Sequence, residues 1–137
     1  MTPEKLIALA IEAMEKAYAP YSGYYVGAAL LTKDGKVYTG CNIENASYTP
    51  TICAERTAFS KAVSEGDKEF SAIAIVGGKG GKMVGAFPPC GVCRQVMAEF
   101  CDPDSFKIYL GLSDGNFEEY TLREMLPAGF FPSALSE

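Results

Sequence analysis

The sequence lacks histidine entirely, so any acid–base or metal chemistry must rest on its thiols and carboxylates. It also lacks any uncharged apolar run that approaches the roughly 18 residues needed by a membrane-spanning helix. The first residues, MTPEKLIALAIEAMEK, carry early acidic groups and interrupted apolar stretches, unlike a secretory signal peptide. These absences predict a cytoplasmic protein without a membrane partner.

Clusters of basic residues are also missing. The 12 Lys and Arg residues are outnumbered by 17 Asp and Glu residues, which gives a net charge of −5. Phosphate backbones and anionic lipids attract basic surfaces, so this balance argues against nucleic acids and membranes as partners.

The chain length of 137 residues predicts a single domain over residues 1–137, which can bury one core without disulfides. The order of the elements indicates one mixed five-stranded sheet with helices on both faces, a three-layer α/β/α fold. The predicted elements are, in chain order, a helix from Pro3 that ends at Pro20, strands 24–32 and 37–43, a helix from about 53 that ends at Gly66, strand 71–77, helix 91–100, strands 106–112 and 117–121, and a short helix opened by the capping box Thr121–Glu124.

A glycine-rich stretch covers residues 77–85 and invites comparison with a phosphate-binding loop. Its lysines do not follow the required spacing, and neither of them precedes Ser or Thr. The stretch is therefore predicted to be a flexible surface loop without an assigned role.

Two cysteine segments stand out, ICAERTAF at residues 52–59 and PPCGVCRQV at residues 88–96. A CxxC pair alone fits a redox dithiol, half a zinc site or two buried cysteines. Both segments, however, follow a strand and a loop and open a helix, where open α/β sheets place their ligands. Three thiolates meeting there, from Cys53, Cys90 and Cys93, would leave one corner of a tetrahedral zinc site open, as in catalytic sites.

A structural zinc site needs a fourth ligand, and the other two cysteines are the candidates. Cys101 lies at the far end of its predicted helix, roughly 12–15 Å away at about 1.5 Å per residue. Cys41 falls within a predicted strand, where a core position is favoured over a ligand position.

Glu55 and Arg56 directly follow the first of these cysteines. A carboxylate beside activated water can take up a proton and deliver it to a leaving group, although a first-turn glutamate can also be a solvated surface acid. Three thiolates leave a zinc site with net negative charge, which Arg56 and the two helix N-termini would offset. The competing interpretation of Arg56 is an ion pair with Glu55 or Glu65.

The two segments match the zinc-deaminase pattern of a ligand-x-Glu segment followed by P-C-x-x-C. Together with YAPYS at 18–22, VGAALLTKDGKVYTGCNIENASY at 26–48 and a Leu-Pro-x-x-Phe ending at Phe130, they extend over nearly the whole chain. The sequence resembles the short, homotetrameric cytidine deaminases, and the resemblance implies the fold of that family.

The resemblance implies hydrolytic deamination of cytidine and 2′-deoxycytidine in pyrimidine salvage, with one zinc ion per subunit. Cys53, Cys90 and Cys93 would hold the metal, and Glu55 would carry protons from zinc-bound water to N3 and to the departing amino group. The expected substrate contacts are Ala54 near the base edge, Asn42 and Glu44 at the ribose 3′-hydroxyl, Tyr24 at a position where the family commonly stacks a phenylalanine, and Ala46, Tyr48 and Phe130 supplied by neighbouring subunits of the tetramer.

Three alternatives remain open at this point. A deaminase of a nucleoside antibiotic such as blasticidin S would share the zinc segments, but by resemblance it lacks Asn-Ile-Glu-Asn and the arginine after CAE. A structural zinc or redox module would have no catalysis. A polynucleotide-editing enzyme is disfavoured by the acidic charge, and a carboxylate at Glu44 would repel a 3′-phosphate, so free nucleosides are favoured.

Overall fold

A computed structural model describes residues 1–135 of the chain. The elements are α1 (Pro3–Met14), β1 (Tyr24–Thr32), β2 (Val37–Cys41), α2 (Ala54–Ser64), β3 (Phe70–Lys79), α3 (Gly91–Phe100), β4 (Lys107–Gly111), β5 (Phe117–Thr121), α4 (Leu122–Met125) and a 3-10 turn (Pro132–Leu135). Their order matches the predicted order of helices and strands.

The five strands form one mixed sheet in the order β2-β1-β3-β4-β5. β1 pairs antiparallel with β2 and β3, β3 runs parallel to β4, and β5 returns antiparallel to β4. β3 is central and reads as a near-continuous apolar run because both of its faces are buried. The mixed five-stranded sheet confirms the fold class predicted from the sequence.

Each face of the sheet buries its own core. On one face, α1 packs Leu6, Ala10 and Met14 against small sheet residues such as Ala29 and Ala74. On the other face, α2, α3 and α4 cover larger sheet residues, and their cluster includes an aromatic group of Phe59, Phe70, Phe100 and Phe106. Alternating side chains along the strands supply both cores, so the molecule has the three predicted layers.

The start of α2 lies unusually close to β2. A Cβ atom added at Gly40 would fall 2.5 Å from the carbonyl oxygen of Ala54 and 2.7 Å from the amide nitrogen of Ala58. Such distances are shorter than any normal contact, so only glycine lets the helix approach the strand here. Gly40 therefore helps to fix the position of the helix that follows Cys53.

The predicted end of the first helix is wrong. α1 ends at Met14, well before Pro20, because the chain then turns toward the sheet edge, where Tyr18 pairs with Ile43 in an isolated bridge. The predicted strand 71–77 ends too early, so part of the glycine-rich stretch is not a loop. β3 continues through Gly78 to Lys79, whose partner on β1 is Tyr24.

The helices within residues 1–135 are short, and none of them has the length and apolar character needed to cross a bilayer.

Candidate metal centre and substrate cavity

Three cysteine sulfurs meet where α2 and α3 begin. Cys53 and Cys90 are the N-cap residues of these helices, with extended backbone, and neither side chain makes a capping hydrogen bond to the backbone of its helix. Cys93 is buried in the first turn of α3. Their sulfur atoms all lie within 4.8 Å of one another, and the described residues bring no fourth cysteine or carboxylate into this group.

The spacing of the sulfurs fits a tetrahedral metal ion. The sulfur–sulfur distances are 3.9 Å between Cys53 and Cys90 and 3.6 Å between Cys90 and Cys93. Two thiolates bound at about 2.3 Å to one tetrahedral zinc lie about 3.8 Å apart. The cluster can therefore accept zinc with little movement and leaves one coordination position for a non-protein ligand.

The two other cysteines stay outside this cluster. Cys41 is half-buried in β2, and Cys101 is buried at the C-terminal end of α3. Burial raises the pKa of both thiols, which keeps them in the uncharged form.

Contacts within the cluster favour negative charge on Cys53. Hydrogen bonding with Cys93 lowers the pKa of Cys53, and Arg56 acts in the same direction against the effect of burial. The pKa of Cys93 is raised by the same contact and by burial. Because the thiolate is the metal-binding form of cysteine, a ligand position is favoured electrostatically at Cys53.

Arg56 lies against the sulfurs and not against a carboxylate. Its Nη2 atom donates to the Cys53 sulfur at 3.5 Å. The salt bridges within residues 1–135 do not include Arg56, so the ion pair with Glu55 or Glu65 does not form. The Nε atom of Arg56 is buried without a hydrogen-bond partner among the described residues, a cost that holding the guanidinium beside the sulfurs would offset.

Glu55 is buried in the first turn of α2, with 4% of its surface exposed. Burial raises the pKa of its carboxyl group to about 7, and the nearby Cys53 charge adds to this effect. A carboxyl group that is half-protonated near neutral pH can both accept and release a proton. This environment excludes a solvated surface acid at Glu55.

Cys53, Cys90 and Glu55 line a cavity of about 220 Å³. Its walls combine metal-site, polar and apolar residues, namely Val26, Asn42, Glu44, Thr51, Ile52, Cys53, Ala54, Glu55, Phe87, Pro88 and Cys90. A mostly apolar cavity with a few converging polar groups is typical of small-molecule sites.

Two polar residues of this cavity are held firmly. The Asn42 side chain accepts from the Val26 amide at 2.9 Å and donates to the Tyr24 carbonyl at 2.8 Å. The Glu44 carboxylate accepts from the Ser22 hydroxyl and from the amides of Tyr21 and Ser22, both at 3.0 Å. These bonds, chiefly that of the Ser22 hydroxyl, lower the pKa of Glu44. Glu44 is therefore a fixed negative charge at the cavity.

Four residues expected at the substrate lie outside the cavity of this single chain. Tyr24 is 45% exposed and does not line it, and Ala46 and Tyr48 lie on the exposed loop after β2. Phe130 is also exposed, with its carbonyl oxygen bound by Gln95.

Sequence reasoning missed the apolar wall of the cavity. Val26 and Phe87 line it, but neither carries a polar group or a motif spacing that marks a site. The available signal for Phe87 was an aromatic residue placed directly before the proline pair that precedes Cys90.

Arg94 braces the loop that carries Cys90. Its Nε atom donates to the Pro89 carbonyl at 2.8 Å, and its Nη1 atom donates to the Met125 carbonyl at the end of α4. One guanidinium thus ties the cysteine loop to the last helix.

Comparison with known proteins agrees with this chemistry. Residues 1–108 match the family model described as "Cytidine and deoxycytidylate deaminase zinc-binding region", and this range contains all three clustered cysteines. A cytidine deaminase of Sporosarcina psychrophila is 52% identical over 99% of this chain and 96% of its own length. The corresponding protein of Halalkalibacterium halodurans is 54% identical over 95% of both chains.

Solved structures support the same relationship. The crystal structure of cytidine deaminase from Burkholderia pseudomallei covers 95% of this chain and all of its own, with a TM-score of 0.86 and 48% identity. The match to a zinc-binding region, together with a single cysteine cluster able to hold a metal in residues 1–135, gives one zinc ion per chain. The resemblance noted from the sequence is thus confirmed, and the chain belongs to the cytidine deaminase family.

Proposed function

We propose that this protein is a hydrolase that converts cytidine and 2′-deoxycytidine to uridine and 2′-deoxyuridine and releases ammonia. The observation that carries the proposal is a buried carboxyl group, Glu55, that lies beside three converging sulfurs and lines the same cavity as two of them. The full-length similarity to cytidine deaminases supports the choice of substrate.

The metal site would be built by Cys53, Cys90 and Cys93. Zinc bound there supplies Lewis-acid activation of water. Three thiolates carry more charge than one zinc ion neutralises, so the Arg56 guanidinium and the two helix N-termini keep the site electrophilic.

Glu55 would act as the proton carrier. It accepts one proton from the attacking water and delivers it to N3 of the pyrimidine, then takes the second proton from the same oxygen and passes it to the amino group, which leaves as ammonia when the C4–N bond breaks. The net reaction consumes one water and yields the keto base. A pKa of about 7 suits both directions of transfer, because neither form of the carboxyl group is strongly favoured.

The remaining residues would select the nucleoside. Asn42 and Glu44 hold the ribose 3′-hydroxyl, and the fixed charge of Glu44 repels a 3′-phosphate, which favours free nucleosides over polynucleotides. Ala54 and the Cys90 region contact the base edge, with Tyr24 nearby.

The assembly would be a homotetramer with shared sites. Ala46, Tyr48 and Phe130 are exposed in the single chain, which leaves them available to complete a cavity of a neighbouring subunit. We also infer one domain over residues 1–137 and a cytoplasmic role in pyrimidine salvage.

An ultraviolet assay of cytidine conversion, with and without a zinc chelator, tests the proposal directly. We expect conversion of cytidine and deoxycytidine, loss of activity after chelation and recovery when zinc is returned. Blasticidin S as the preferred substrate, or full activity in Glu55→Ala with zinc retained, would contradict it.

A further inference from the structure

The cavity contains an aromatic side chain that no deaminase motif of this sequence includes. Phe87 lies in the loop between β3 and α3, is half-buried, and lines the cavity together with Val26 and Glu55. Of the described residues that line this cavity, Phe87 is the single aromatic one.

The Phe87 ring packs directly against Gly77 of the central strand β3. A Cβ atom added at Gly77 would lie 2.8 Å from Cγ and 3.0 Å from both Cδ atoms of Phe87. These ring carbons are the nearest atoms that such a Cβ would meet. The backbone of Gly77 is not in the left-handed region, so backbone conformation does not require glycine there. The absence of a side chain instead makes room for the Phe87 ring.

The exposed ring of Tyr24 contacts the Phe87 ring. The ring centroids of Tyr24 and Phe87 are 6.1 Å apart with an interplanar angle of 44°. Tyr24 is Gly77's near neighbour across the sheet, since Val26 pairs with Gly77 and Tyr24 with Lys79. Phe87 therefore packs on the face of the sheet over Gly77 and beside Tyr24, and it also lines the cavity.

We propose that Phe87 is a substrate-binding residue whose ring forms the aromatic wall against which the pyrimidine ring packs, at a depth set by Gly77. The inference rests on the proposed function, because it takes a nucleoside base as the ligand. The reacting base carbon must lie beside the cysteines and Glu55, and Phe87 borders the same cavity three residues before Cys90. Packing of a base on an aromatic ring is strong and does not depend on hydrogen bonds.

The first test replaces the ring. Phe87→Ala and Phe87→Leu are purified with zinc, and we measure KM and kcat for cytidine and the Kd of the product uridine by calorimetry. We expect KM and Kd to rise about tenfold or more, with a smaller change in kcat and unchanged zinc content. Phe87→Leu keeps apolar bulk, so it folds even where a cavity destabilises Phe87→Ala, and it still loses the aromatic face.

The second test uses the contact with Gly77 in a double-mutant cycle. Gly77→Ala should displace the ring and raise KM and Kd in the wild-type background, but add little in Phe87→Ala, where the clashing ring is gone. Gly85→Ala is the control, because a Cβ at Gly85 meets nothing within 4 Å.

Unchanged Kd and KM in both Phe87 variants would overturn the inference, as would an equal cost of Gly77→Ala in both backgrounds. If the wild type converts cytidine while these results are obtained, only the inference fails and the proposed function stands. If the wild type does not convert cytidine, the proposed function fails, and loss of uridine binding in the Phe87 variants still decides the role of the ring.

Discussion

Replacing Glu55 with glutamine should make the protein less active and, above neutral pH, more stable. The substitution keeps the size of a buried side chain and removes its charge. A glutamate has an ordinary pKa of 4.5, and burial raises the pKa of Glu55 to about 7 in the folded protein. Below about pH 4 the group is mostly protonated in both the folded and the unfolded chain, and it costs little.

As pH rises from 4.5 through 7, the unfolded chain loses this proton more readily, so the free energy of unfolding falls. Above pH 7 the cost levels off at about 3 kcal/mol, since each pKa unit corresponds to about 1.4 kcal/mol. Glutamine has no ionisable group, so Glu55→Gln avoids the free-energy cost of a buried negative charge. As the pH rises from about 5 to about 8, the stability advantage of Glu55→Gln over the wild type should therefore grow by about 2–3 kcal/mol.

Urea unfolding of both proteins after zinc removal measures this difference, with Glu55→Ala as a control that also loses packing. In the zinc-loaded enzymes, kcat of Glu55→Gln should fall about 100- to 10,000-fold, because the proton carrier is gone. A stability difference that does not vary with pH would refute the buried charge. An unchanged kcat would refute the role in proton transfer.

Three further predictions concern the metal site. Cys93→Ser should abolish stoichiometric zinc in elemental analysis, whereas Cys41→Ser, outside the cluster, should keep it. Arg56→Gln should retain zinc and lower kcat about tenfold, since it removes a charged donor from Cys53; equal kcat would dismiss the tuning role. Gly40→Ala should reduce the free energy of unfolding by about 1–3 kcal/mol and weaken zinc binding by displacing α2, and Gly85→Ala should do neither.

Local signals predicted the parts of the fold that depend on local chemistry. The apolar run and the Asp-Gly turn after it placed β1 at Tyr24–Thr32, and the capping box placed the start of α4. The end of α1 was missed because Tyr18 has helical spacing but joins a distant bridge with Ile43. Such tertiary pairing leaves no mark in the sequence near Tyr18.

The residues of the candidate site also fall into two groups, those that sequence spacing indicated and those that only packing reveals. Thiols and carboxylates are chemically distinctive, so Cys53, Cys90 and Glu55 could be proposed from spacing alone. Phe87 looked like any apolar loop residue, and its meaning comes from Gly77, ten positions earlier, across a strand and a loop. The placement of Tyr24 beside Phe87, outside the cavity, likewise depends on packing that spacing does not encode.

The two hydrogen bonds from Arg94 to backbone carbonyl groups limit how far this chain can be shortened at its C-terminal end without loss of activity. The match to the family model stops at residue 108, yet Arg94, which binds the Pro89 carbonyl of the cysteine loop, is also bound to the Met125 carbonyl beyond that limit. A fragment of residues 1–108 would contain all three clustered cysteines but would lack the Met125 carbonyl that Arg94 binds. Truncations, fusions and circular permutations of this chain should therefore keep α4, because it supports the loop that carries Cys90.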